Sequence, residues 1–367
     1  MLFLILLFLI FYSYMIFPLV LAALRPFARR RFGHGRVEAV TVVCAVHNEE
    51  KIIAQKIHNF YALEYPVPPR LFLGLDGCSD GTRAQIEGAV KDGRVQYFQF
   101  PRQGKAQTLN ALMEKVSTPY SVMTDANSMF DADALLRLAE TMSDETGVVC
   151  GRLVLVDSLG NSGEGLYWRY ETMLKKFENA FGSVMGANGA IYMLRSALYE
   201  KLPMGTINDD FSISMKIYEK GHAMRYAAAA VAREEAGSSD ADEFSRHVRD
   251  GAGHYRALVY LCGMLNPLRP VRFFFYVSHR VLRWMAPFSM IALYVISCLR
   301  FNEPAYRLAW FAQSACYGAV AAVHFLKTKP RLLRIPYYFV LINGALLAGF
   351  VKLCTGRQQS VWVPLKR

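Results

Sequence analysis

Hydrophobic positions along this chain fall into three regimes. Met1–Leu24 is apolar almost without interruption and long enough to cross a bilayer. From residue 37 to about 262, short apolar runs alternate with amphipathic stretches and polar turns. Beyond residue 284 the apolar residues thicken again into Met285–Leu299, Ala305–Leu326 and Ile335–Leu353, each able to span a bilayer or nearly so. In the middle regime the runs Val37–Val46, Leu71–Leu75, Val95–Phe100 and the one from Tyr120 to Thr124 predict buried strands. Helical stretches follow the first three: Ile52, Ile53, Ile57 and Phe60 near helical spacing, a segment opening at Thr82, and Ala106–Val116. That alternation predicts an α/β domain built on a doubly wound, mostly parallel sheet. Further on, Gly147–Val156 and Ile191–Leu194 read as strands, Gly165–Phe181 as an amphipathic helix, and Phe211–Lys220 as a helix stopped by Gly221. Phe273–Trp284 mixes aromatics with His279, Arg280 and Arg283, which suits a helix lying in a membrane interface.

Charge orients this pattern. No basic residue precedes the first apolar stretch, and Arg25, Arg29, Arg30, Arg31 and Arg36 follow it. A cleaved signal carries its charge first, so the order predicts an uncleaved anchor with the following domain in the cytoplasm of a multi-pass inner (plasma) membrane protein. Lys327, Lys329, Arg331 and Arg334 mark another cytoplasmic loop. The expected organisation is an anchor over 1–24, a basic linker over 25–36, a catalytic domain over 37–262, an interfacial helix over 263–284, membrane helices over 285–354 and a tail over 355–367. The net charge of +12 comes without basic patches interleaved with aromatics in the soluble part. Membrane lipids rather than nucleic acid are therefore the expected partner of the arginines. Seven cysteines show no CxxC and no metal-finger spacing, which predicts reduced, packed thiols.

Candidate chemistry sits where the apolar runs stop. The fourth run ends at Asp125, followed by Ala126, Asn127 and Ser128. Ligands of open α/β sheets gather at the carboxyl ends of strands, and a carboxylate two residues from an amide suits a hard divalent cation; a plain Asx turn has the same look. His47-Asn48-Glu49-Glu50 closes the first strand, as a helix cap by Asn48 with acidic first-turn residues or as a nucleotide pocket. The turn Asp76-Gly77-Cys78-Ser79-Asp80-Gly81-Thr82 brings two carboxylates together. Lys105 opens a helix, an unfavourable place for a cation unless it holds an anion. Met185–Ala190, with Gly189, is a small-residue turn suited to tight packing or close backbone approach. Asn208-Asp209-Asp210 opens another helix, as ordinary caps do, and Arg246 and Arg249 stand on a basic helix.

In this order the motifs resemble those of family-2 glycosyltransferases of the GT-A fold, over about 210 residues. The likeness extends to membrane-bound synthases of bacterial polysaccharide, hyaluronan and chitooligosaccharide. It implies transfer of a sugar, with inversion, from a nucleotide-diphosphate sugar (UDP-linked by expectation) to a growing polysaccharide or lipid-linked glycan. It implies that His47, Asn48, Glu49, Asp76, Asp80, Lys105 and Asp125 bind the nucleotide, with Asp76 on the nucleobase. Asp125 and Asn127 are the implied ligands of Mg²⁺ or Mn²⁺. The family's T-E-D motif corresponds to Asn208-Asp209-Asp210, which makes Asp210 the general base. Asp209, Gly189, Arg246 and Arg249 fall on the diphosphate and acceptor side. Two departures stand out: D-x-N replaces D-x-D, and R-H-V-R-D replaces the Q-x-x-R-W of many processive members, keeping only the arginine as Arg249. Trp362-Val363-Pro364 resembles an element at the cytoplasmic mouth of a polymer channel. Export or polymerisation subunits are candidate partners. The alternative from another class is a non-catalytic membrane subunit that keeps the fold to bind a partner or sense a nucleotide.

Overall fold

The computed structural model describes residues 1–28, 32–156, 166–235, 240–326 and 333–357. Arg29–Arg31, the basic loop up to Arg331 and the Trp362-Val363-Pro364 element lie outside the described residues. Strands β1 (Val40–Val46), β2 (Arg70–Asp76), β3 (Val95–Phe100), β4 (Tyr120–Met123), β5 (Met129–Phe130), β6 (Thr146–Val156), β7 (Tyr192–Arg195) and β8 (Ala223–Glu235) form one sheet in the order β3-β2-β1-β4-β7-β6-β8-β5. β1 pairs in parallel with β2 and β4, β2 with β3, and β6 with β8. The short β7 runs antiparallel to both β4 and β6, and β5 antiparallel to β8.

β1 explains why the sequence reads so clearly here. All seven of its residues are buried, because a central parallel strand is covered on both faces and shows an unbroken apolar run. Val40, Val42, Cys44 and Val46 join the core under α2 (Ile53–Tyr61), α3 (Thr82–Ala89) and α5 (Ala134–Thr141). Val43 and Ala45 point the other way, into the core shared with α4 (Lys105–Met113), α6 (Leu166–Asn179), α7 (Asp209–Glu219) and α8 (Asp240–Tyr260). The result is a helix–sheet–helix sandwich.

Three helices among the described residues are long and apolar enough to cross a membrane: α1 (Leu2–Phe27), α9 (Pro270–Leu299) and α11 (Arg334–Cys354). α10 (Pro304–Leu326) is comparably long but less apolar, carrying Arg307 and Gln313. The segments read from sequence as an interfacial helix and a following span are one continuous helical run, α9, widened at Val277–Val281 into a π turn. Its first half lies against the sheet domain: Arg272 Nε donates to the Tyr218 carbonyl at 3.0 Å and Tyr255 Oη to the Trp284 carbonyl at 2.7 Å. Phe17 of α1 packs on Phe274, Phe275 and His279 of the same stretch. α11 crosses α8 closely, and a Cβ on Gly349 would stand 2.5 Å from the Val248 carbonyl.

Candidate functional site

The turns after β1 and β2 interlock into one wall. Asn48 adopts the left-handed conformation (φ +52°), and its side-chain oxygen accepts from the Ser79 N–H at 2.9 Å. The Gly81 N–H donates to Glu50 Oε2 at 2.8 Å, and the Glu49 N–H to Thr82 Oγ1 at 2.8 Å. Asp80 accepts from Thr82 Oγ1 at 2.6 Å and from the Glu50 N–H at 3.3 Å. His47 Nδ1 meets the Asp76 carbonyl at 2.7 Å. The expectation that Asn48 caps the next helix is corrected: α2 begins at Ile53 after Ile52, and Asn48 is engaged by the second turn instead.

Asp76 is enclosed by the loop that follows β3. It is 1% exposed. Its Oδ1 accepts from the Gln103 N–H at 2.7 Å, the Gly104 N–H reaches both oxygens at 3.1 Å, and the Arg102 guanidinium pairs with Oδ2. Gly104 turns at φ +88°, a conformation open to glycine, and Lys105 starts α4 immediately after. The carboxylate thus holds the loop that presents the lysine.

The lysine's anion is in the chain itself. Lys105 Nζ lies 2.7 Å from Asp125 Oδ1 and 3.1 Å from Asp209 Oδ1, joining the end of β4 to the start of α7. Burial alone would lower the ammonium's pKa, but Asp125 and Asp209 hold it above the usual lysine range. Asn127 stands half-buried two residues beyond Asp125. Gly189 closes the opposite side: a Cβ there would sit 2.8 Å from Asp125 Oδ2, so no larger residue fits without moving the carboxylate.

Asp210 follows in the first turn of α7, where its Oδ1 accepts from the Phe211 N–H at 2.7 Å. Burial, reinforced by the Asp209 carboxylate, pushes its carboxyl up to about 7. Burial likewise raises Asp209. The preceding Asn208 ties this turn to α8, donating to the Asp250 carbonyl at 2.9 Å and meeting His254 Nδ1 at 3.1 Å. Arg249 pairs with its neighbour Asp250 at 3.3 Å, and Arg246 is half-buried one turn earlier. The structure therefore brings Lys105, Asp125, Asp209 and Gly189 together with Asp210 adjacent. It draws in His47, Asn48, Glu49 and Asp80 as a neighbouring wall. Neither Arg246 nor Arg249 is brought to the Lys105 cluster by a described hydrogen bond or ion pair.

Sequence reading missed Lys56. It stands on the buried stripe of α2 with Ile53, Ile57 and Phe60. Its ammonium donates to Thr124 Oγ1 at 2.9 Å and to the Ser128 carbonyl, gripping both ends of the turn that carries Asp125 and Asn127. Burial brings it down to about 8. A lysine in the register of the apolar positions was the signal that could have found it.

The profile of glycosyl transferase family 2 matches residues 41–202, and that of glycosyl transferase family group 2 matches residues 122–351, more than half of the chain. The chain belongs to glycosyl transferase family group 2. Curated relatives include poly-beta-1,6-N-acetyl-D-glucosamine synthase of Staphylococcus epidermidis, 22% identical over 219 residues that cover 56% of this chain and 53% of the relative. The synthase of that name from Staphylococcus aureus (strain COL) is 24% identical over 205 residues, covering 53% and 49%. This family member thus spans about half the length of the curated relatives it matches. Among solved structures, the mannosyltransferase PcManGT from Pyrobaculum calidifontis, in complex with GDP-Man and Mn2+, superposes with a TM-score of 0.69 at 16% identity. The superposition covers 97% of this chain and 100% of that one, so the two share the GT-A glycosyltransferase fold.

Proposed function

We propose that this chain is a membrane-bound transferase that moves a sugar, with inversion at the anomeric carbon, from a nucleotide-diphosphate sugar to a hydroxyl of a growing polysaccharide or lipid-linked glycan. The observation that carries the reading is the junction of β4 and α7, where a cation flanked by carboxylates stands beside a buried carboxyl pushed up to about 7. Displacement at an anomeric carbon needs a base for the attacking hydroxyl and positive charge for the departing diphosphate. Asp210, ionised, accepts the acceptor's proton. Lys105 exchanges its carboxylate partners for phosphate oxygens when the donor enters.

A divalent cation fits the donor set. Asp125, a partly exposed carboxylate, and Asn127, a half-buried amide two residues on, are two hard oxygen donors at the end of β4, short of a full ligand set. That suits an ion which keeps waters and borrows diphosphate oxygens. Asp125 and Asn127 would hold it, and its charge would stabilise the leaving group; Mn²⁺ or Mg²⁺ are the ions to try. We assign Asp76 to supporting the lysine loop, since its oxygens are occupied by chain donors. Nucleobase contact then falls to the interlocked wall of residues 47–50 and 77–82.

We further propose the division into an anchor, a basic linker, a cytoplasmic catalytic domain ending near residue 262, a docked interfacial segment and membrane helices, in the inner (plasma) membrane. A UDP-linked donor is the first expectation. The test is incubation of membranes carrying the full chain with a panel of labelled nucleotide sugars, GDP-mannose included, with and without EDTA, and sizing of the product. Label in a glycan that disappears in Asp210→Asn supports the reading. A chain that binds nucleotide sugars but transfers nothing to any acceptor fraction would favour the non-catalytic alternative.

A further inference from the structure

The contact between the catalytic domain and the membrane helices is unusually polar for a buried surface. Glu178 and His279 are both 0% exposed, with His279 Nδ1 2.5 Å from Glu178 Oε1. Arg283 donates to Glu171 Oε1 at 2.7 Å, to Tyr170 Oη at 2.8 Å and to the Ser13 carbonyl at 3.3 Å. Two membrane-type helices meet here through π turns, Tyr12–Ile16 in α1 and Val277–Val281 in α9, with Tyr12 Oη 3.0 Å from Ser278 Oγ. Such wider turns recur at functional sites. Here the turn in α9 carries the consecutive residues His279 and Arg280, both of which contact the domain.

Arg280 reaches furthest toward the site. Its guanidinium donates through Nε to the Met185 carbonyl at 2.8 Å, with Nη2 on the same oxygen, while the Met185 N–H donates to Glu178 Oε2 at 3.1 Å. Both polar groups of Met185 are therefore gripped by charged side chains. The turn that follows starts with Gly186 at φ +105°, where a Cβ would stand 2.6 Å from the Phe211 ring, and it continues to Gly189 beside Asp125. The same guanidinium lies 5.5 Å over the Phe211 ring, next in sequence to Asp210. A second path closes the loop: the Ala187 N–H donates to Ser214 Oγ at 3.1 Å, and Ser214 Oγ to the Asp210 carbonyl at 2.7 Å.

We propose that Arg280 is a positioning residue for transfer: it registers the 185–190 turn and the first turn of α7 against the membrane helix, and so sets Gly189–Asp125 and Asp210 relative to the acceptor. This rests on the functional reading above. Arg280 touches no reacting atom; it acts through Met185 and Phe211. A planar fork over a ring and onto one carbonyl is a task for which lysine is a poor substitute, and small displacements of a catalytic group carry large rate costs.

The test uses the full-length chain in detergent or nanodiscs, with Arg280→Lys and Arg280→Met, turnover expressed per folded molecule, and donor affinity measured separately by calorimetry. The expectation is a loss of turnover on the order of 10²-fold in Arg280→Met and about tenfold in Arg280→Lys. Donor Kd should change far less than turnover, because Lys105 and the interlocked wall that grip the nucleotide are untouched. A residue that merely fastened the domain to the helix would lower the folded fraction and leave turnover per folded molecule alone. Should Arg280→Met fail to fold, Arg280→Lys decides. Turnover within about twofold of wild type in the folding variants, or turnover and donor binding falling together, overturns the proposal. A wild-type chain that transfers nothing overturns the functional reading and this inference with it, whereas an active wild type with indifferent variants overturns the inference alone.

Discussion

Asp210 and Asp76 show how two carboxylates of one domain come to different surroundings. Asp210 is raised by burial and by Asp209 to about 7, so a base at this position is protonated below neutrality and ionised above it. Turnover should therefore climb as pH rises through about 7, and the pH–rate profile at saturating donor is the measurement. Asp210→Asn keeps an oxygen for the Phe211 N–H but cannot accept a proton; it should lose roughly 10²–10⁴-fold in turnover with donor affinity nearly unchanged, and near-wild-type turnover would remove Asp210 from the mechanism. Asp76 is the opposite case, a carboxylate spent on Arg102 and two backbone donors. Asp76→Ala takes the side-chain acceptor from the Gln103 and Gly104 N–H groups and should destabilise the domain by about 3 kcal/mol, read by urea unfolding. Donor binding should weaken secondarily as the lysine loop loosens. Loss of donor binding at unchanged stability would return Asp76 to the nucleobase.

At the scale of elements, the sheet's first half was legible because β1 and β2 are covered on both faces and their apolar runs end at polar turns. The sequence reading places β3 at the boundaries observed, Val95–Phe100. β8 was not legible: its run Ala227–Ala230 has helical propensity, and only the long parallel pairing with β6 makes it a strand. α9 was divided at residue 284 because its first half carries arginines, yet those arginines bond to the domain while the helix continues. Asp125, Lys105 and Asp210 could be picked out by motif and Lys56 by its place in the apolar register of α2, whereas no local spacing announces the contacts of Arg280. The 185–190 turn gives the test at this scale. Gly189→Ala puts a methyl 2.8 Å from Asp125 Oδ2, so it should cost on the order of 10²-fold in turnover while unfolding shifts by only about 1–3 kcal/mol. A fully active Gly189→Ala would show that Asp125 is free to move.

For the whole molecule, the charges at the ends of α1 and α9 bear on which side of the membrane the proposed chemistry faces. Arg25 and Arg36 flank the exit of α1 toward the domain, and Arg269 and Arg272 sit at the root of α9, bonded to carbonyls at the end of α7. The turn between α9 and α10 is different: Arg300 is paired with Glu303 at 2.6 Å, leaving no net positive charge in that pair. Basic residues gather on the cytoplasmic side, so the proposed arrangement puts the domain in the cytoplasm and the 300–303 turn on the far side. Gly93 and Asn302 are both exposed, and a Cβ at Gly93 would meet nothing within 4 Å. In a chain whose exposed Cys262, Cys298 and Cys354 are replaced by serine, Asn302→Cys should react with a membrane-impermeant maleimide in intact cells. Gly93→Cys should react only after the cells are opened. Labelling of Gly93→Cys in intact cells would place the catalytic domain outside, away from the nucleotide sugars made in the cytoplasm, and the proposed transfer could not then run as described.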